Sequence, residues 1–246
     1  MVAARDPAAY LAAMAETPAF LDTGRPAVPD IVVPRGITPF HLHARPVRGR
    51  LLGRRDHPPV VAALTGQALA LAAALAATMK FRGSFSVQAK GDGPVDLLLA
   101  DCTDQGELRG YARADAEKLA ALLATDPEPD ARKLLGSGYL AFTVDPGGDT
   151  DRYQGIVAIE GASLAAMAEH YFETSEQLRC VVRLACRQTE SGWRAAALVM
   201  QRVAGAGGLD PAMDEAAQEE AWRTALALAA TLTDDEMLDD ALLPER

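Results

Sequence analysis

Cysteine is scarce in this chain: Cys102, Cys180 and Cys186 are three in 246 residues. So thin and odd a set excludes the disulfide framework of a small secreted protein. Basic charge is also short, with 24 Lys and Arg against 34 Asp and Glu and a net charge of -10. That balance argues against a nucleic-acid backbone as the partner, since neutralising phosphates needs a concentrated basic surface. The first twenty residues, MVAARDPAAYLAAMAETPAF, lack a basic start, a long apolar run and a small-residue cleavage site. No secretory leader is read there, and a reducing cytoplasm is the expected compartment.

Catalytic groupings are missing as well. Nucleophilic catalysis needs a nucleophile, a base and a group that orients the base. The histidines are His41, His43, His57 and His170, and none lies in a nucleophile motif. Gly136-Ser137-Gly138 lacks the Gly-x-Ser-x-Gly pattern and precedes a strand, so it reads as a turn. His41 and His43 alternate on one strand face, but no cysteine lies near them to complete a four-ligand zinc site. Cys180 and Cys186 are placed on one face of a strand and ~20 Å apart, too far for a disulfide or a shared metal. Gly91-Asp92-Gly93 has no following Lys-Ser/Thr and no helix start, so it is a hairpin turn rather than a phosphate loop. Arg48-Gly49-Arg50 and Arg54-Arg55 read as a solvated strand edge.

What is present begins with an apolar run, Val60 to Met79, long enough to span a bilayer. Much of it is Ala, which gains little from lipid, and Gln67 sits inside it, so a buried central helix is expected and no membrane. Before it, residues 1–35 are broken by Pro18, Pro26, Pro29 and Pro34 and read as peripheral. Pro39 to Leu52 reads as extended with an interruption at Pro46. After it come strands over 84–89, 95–100 and 108–113, then a short helix over 115–124 capped by Asp115. A proline-containing loop leads to a strand pair over 138–144 and 153–159. Ser163 caps a helix expected to reach Leu178, and a hairpin over 179–188 and 193–201 closes the series. Beyond Arg202 the sequence AGAGGLDP reads as a hinge, followed by helices over 214–230 and 234–242. Hairpins interrupted by helices, then a helical tail, predict an α+β fold with mixed sheets.

Several segments together resemble one family. They include Val47-Arg48-Gly49-Arg50, Met79-Lys80-Phe81-Arg82-Gly83, Val87-Gln88-Ala89-Lys90-Gly91-Asp92-Gly93-Pro94 and Leu108-Arg109-Gly110-Tyr111-Ala112. Further on are Leu135-Gly136-Ser137-Gly138-Tyr139-Leu140, Tyr153-Gln154-Gly155-Ile156-Val157, Tyr171-Phe172 and Ser175-Glu176-Gln177-Leu178. In order and spacing this set is similar to the heat shock protein 33 family, redox-regulated holdases of the bacterial cytoplasm.

The resemblance implies a chaperone core over residues 36–202 and a helical linker region over 203–246. It implies a non-enzyme that holds unfolding proteins without ATP and forms a homodimer when active. In the family a zinc domain follows, with Cys-x-Cys and Cys-x-x-Cys ligands whose oxidation ejects the metal and unfolds the linker. Neither cysteine pair occurs in these residues. The zinc domain is therefore expected to be missing, either because the chain is truncated, the preferred reading, or because it naturally lacks the switch, and no cofactor is expected in it. The amphipathic linker helix predicts a covered apolar site, with Val181, Leu184, Leu198, Val199, Trp222 and Leu226 as candidate client-binding or linker-docking residues. Two other readings stay open: a dimerising structural protein without client binding, and a small hydrolase with a cleft at His41, His43 or His170.

Overall fold

A computed structural model describes residues 40–49, 57–78, 81–147, 151–189, 192–202 and 215–238. Expectations for the N-terminal segment and for the AGAGGLDP hinge lie outside them.

The Ala-rich run forms helix α1, Pro59–Thr78. One stretch of it, Pro59–Ala77, is long and apolar enough to cross a membrane, yet most of it is buried inside the protein. Ala68, Ala70, Ala72, Ala73 and Ala74 are all inaccessible, and so is Leu71 between them. A helix apolar on every side needs cover on every side, and two sheets supply it. Small side chains let both sheets approach. Gly110 completes the fit on one side, because a Cβ there would stand 2.9 Å from the Leu69 side chain.

The first sheet is antiparallel, in the order β4-β3-β2-β5-β6. Its strands are β2, Ser84–Gly91, β3, Val95–Thr103, β4, Leu108–Ala114, β5, Gly138–Asp145, and β6, Tyr153–Ala158. The second, also antiparallel, is β1-β8-β7, from Phe40–Gly49, Gly192–Arg202 and Cys180–Thr189. The expected break at Pro46 does not occur, and β1 pairs straight through it with Pro46 opposite Ala196. Among the described strands β1 is an edge, where a residue without an N–H is tolerated.

Helix α2, Ala116–Thr125, starts where Asp115 accepts the backbone N–H groups of Glu117 and Lys118. The loop expected after it contains a further helix, α3, Ala131–Leu135, capped by Asp130. The two turns that offered no chemistry dock on each other: Asp92 Oδ1 accepts the Ser137 N–H at 2.7 Å, and Gly93 donates to the Leu135 carbonyl at 3.0 Å.

Helix α4, Leu164–Thr174, begins at the Ser163 cap but stops four residues short of Leu178. The chain turns because the Glu176 carboxylate accepts hydroxyl hydrogen bonds from both Tyr153 and Tyr171, and Gln177 takes φ +56° to make the turn. Gly155 leaves room for this, since a Cβ there would meet the Tyr171 hydroxyl at 2.2 Å. Two helices follow the sheets, α5, Glu215–Thr231, and α6, Asp234–Leu238.

The covered face of the three-stranded sheet

Strand alternation gives β7 and β8 two faces. On the inner face Val182, Ala195, Ala197 and Val199 join the central core against α1, with Cys180, Leu184 and Cys186 packed on them. On the outer face Leu198 and Met200 meet Trp222 and Ala229 of α5, joined by Val181, Ala225, Leu226, Leu232 and Met237. Ala185 and Ala196 meet Leu238 of α6 beside them.

Of the residues the sequence singled out, the structure therefore brings together Val181, Leu198, Trp222 and Leu226. It places Leu184 and Val199 elsewhere, on the opposite face. The period of two contains that answer: Leu184 is an odd number of residues from Val181, and Val199 is next to Leu198, so neither pair can share a face. On the helix, Trp222, Ala225, Leu226 and Ala229 follow the i, i+3, i+4, i+7 spacing of one stripe. Leu228, equally apolar but off that stripe, is 66% exposed. Met200, Ala185 and Ala196 were missed although the same alternation points to them.

Polar contacts ring this apolar strip, and arginines supply them. Glu219 Oε2 accepts from Arg179 at 2.9 Å and from Arg202 at 2.6 Å. These guanidinium bonds, Arg179 first, hold the Glu219 carboxyl below its ordinary value. The Arg179 guanidinium also lies 5.5 Å from the centroid of the Trp222 ring. Arg183 donates to the carbonyls of Ala229 at 3.3 Å and Leu232 at 2.9 Å, satisfying acceptors at the end of α5. Arg187 pairs with Asp235, and Arg194 donates to the Leu238 carbonyl at 3.1 Å.

Cys180 and Cys186 offer no activated thiol. Burial, with Glu169 and Glu173 nearby, pushes the Cys180 thiol up to about 12, and burial alone pushes Cys186 up to about 12. Both stay protonated at neutral pH, the wrong state for a nucleophile. Among the described residues no group of three or more His, Cys, Asp or Glu side chains converges as a metal site. The described residues thus do not fit a thiolate-bound zinc. His41 and His43 fall on β1, whose side chains lie outside the described residues.

Comparisons with known proteins agree on one family. A profile of the Hsp33 protein family matches residues 35–246. The chain is 42% identical over 217 residues to the 33 kDa chaperonin of Caulobacter vibrioides strain NA1000, covering 82% of this chain and 70% of that one. It is 39% identical over 190 residues to the 33 kDa chaperonin of Ectopseudomonas mendocina, covering 76% of this chain and 59% of the relative. Among solved structures, the Hsp33 homologue of Thermotoga maritima superposes with a TM-score of 0.64 at 20% identity, over 80% of this chain and 66% of that one. At that identity the likeness is one of fold.

Proposed function

This chain belongs to the Hsp33 protein family, and from that premise we propose that it is an ATP-independent holdase that binds unfolding proteins and prevents their aggregation. Membership places it among chaperones rather than enzymes. The relatives are named chaperonins, and the observation that supports carrying a holding activity to this chain is the outer face of β7 and β8. Val181, Ala185, Ala196, Leu198 and Met200 form one apolar strip beneath two helices. A strip of that kind, once uncovered, is the surface an unfolding protein adheres to. The division into a core over 36–202 and a linker over 203–246 belongs to the same reading, as does a cytoplasmic location.

The three cysteines are given no redox role in this proposal: Cys180 and Cys186 are half-buried, and desolvation keeps their thiols protonated at neutral pH. Zinc follows the same logic: the purified chain is expected to bind less than one equivalent, and one tightly held equivalent by metal analysis would refute this. A homodimer is also part of the reading. Its support is the edge strand β6, where Tyr153 is 58% and Ile156 50% exposed. Sedimentation velocity tests it, and a monomer at all concentrations counts against it. The main test is light scattering of a heat-unfolding client under reducing agent. Suppression near equimolar chain is expected; unchanged scattering with a large excess of chain would overturn the holdase reading.

A further inference from the structure

From Arg179 to Arg202 the chain holds five arginines, Arg179, Arg183, Arg187, Arg194 and Arg202, and one acidic residue, Glu190, although the whole chain is strongly acidic. The three on or beside β7 share the parity of Val181 and Ala185, and the two on β8 share that of Leu198 and Met200. Each of the five contacts α5 or α6 on the outer face. The covering segment is the reverse: residues 215–238 contain six acidic residues and only one basic residue, Arg223.

We propose that this face selects its clients by charge and helicity, taking an acidic amphipathic helical segment of another protein in place of α5 and α6. This rests on the holdase reading and names the client chemistry for the same surface. An apolar strip alone would accept any greasy segment. Removing α5 and α6 also strips the arginines of Glu219 and Asp235 and of the carbonyls at Ala229, Leu232 and Leu238. A neutral or basic segment covering the strip would leave the guanidinium groups without these partners, or facing like charge. An acidic segment restores the pairs, and Arg suits carboxylates because its planar fork can bind both oxygens. Arg183 and Arg194 add a second criterion. They donate to backbone carbonyls, and free carbonyls in line are what the C-terminal end of a helix presents.

Fluorescence anisotropy on the full chain carrying Trp222→Ala, which loosens the cover, tests this. The probes are a labelled peptide with the sequence of residues 215–238 and the same peptide with every Asp and Glu changed to Asn and Gln. The acidic peptide is expected to bind about tenfold tighter, with the advantage shrinking as salt is raised and after Arg187→Gln. Equal affinity for the two peptides would overturn the proposal. So would an RNA oligonucleotide of matched charge binding as tightly as the acidic peptide, since charge alone would then suffice. Should circular dichroism show Trp222→Ala unfolded, Leu226→Ala takes its place. Loss of peptide discrimination with aggregation still suppressed sinks the charge selection and leaves the holdase reading standing. Discrimination without suppression does the opposite.

Discussion

The two faces of the β1-β8-β7 sheet are closed by different chemistry. On the inner face α1 brings no charge at all, and Val199 and Ala197 are sealed into a core continuous with the five-stranded sheet. On the outer face α5 and α6 cover a smaller strip and are held at its margin by arginines reaching carboxylates and helix-end carbonyls. The inner closure depends on area removed from water and on close packing, which is lost only when the domain unfolds. The outer closure divides into an apolar strip and a set of partly exposed ionic contacts, which respond to pH and salt. A cover that is to be removable without unfolding the body needs the second kind of attachment.

The sharpest way to break this comparison uses adjacent residues. Val199→Asp buries a charge in the central core and is expected to cost on the order of 5 kcal/mol, enough to unfold a domain of ordinary stability. Leu198→Asp, one residue away, is expected to leave the core melting transition in place while residues 215–238 lose hydrogen-exchange protection. If both variants unfold the core alike, the two faces are not separable. A smaller effect is expected from Arg183→Gln, which removes charged donors from the Ala229 and Leu232 carbonyls. About 2 kcal/mol of helix docking should be lost, read as faster proteolysis within 215–238 with the core Tm unchanged.

The smallest effect is the pH response. The Glu219 carboxyl is held below its ordinary value of 4.5 in the docked state, so its contribution is present above that value. It is lost as pH falls through the lowered folded value. Hydrogen exchange or proteolysis of α5 should therefore accelerate on acidification below the ordinary carboxylate range. Glu219→Gln should flatten that dependence, and an unchanged acid profile in this variant would show that the Arg179–Glu219–Arg202 contact does not hold the cover.

Much of the fold was legible because local chemistry dictates it. Asp115 and Ser163 cap the helices assigned to them, the Gly91–Pro94 turn joins β2 and β3, and the closing hairpin turns where Gly192 allows φ +108°. Helix α3 was not seen because its five residues follow the prolines of TDPEPD and carry no periodicity to read. The overlong α4 had the opposite cause. Its pattern continues toward Leu178, but two tyrosine hydroxyls converge on Glu176 and stop the helix. The candidate site was half legible. Trp222 and Leu226 stand on a helical stripe, whereas Leu184 and Val199 have the hydropathy but the opposite strand parity.

By itself the sequence determined most of the elements, the uncharged helix α1, the parity that sorts β7 and β8 into two faces, and the opposed charge of hairpin and tail. These are properties of neighbouring residues, and local sterics, capping and alternation act at that range. Tertiary structure alone decided that α1 is enclosed by two sheets rather than lipid, since hydropathy reports only that cover is needed. It also decided what the arginines do: Arg183 finds its acceptor 49 residues away at Leu232, and Arg179 finds Glu219 40 residues on. No local pattern encodes a partner at that separation, because the pairing exists only after α5 has packed its stripe onto the sheet.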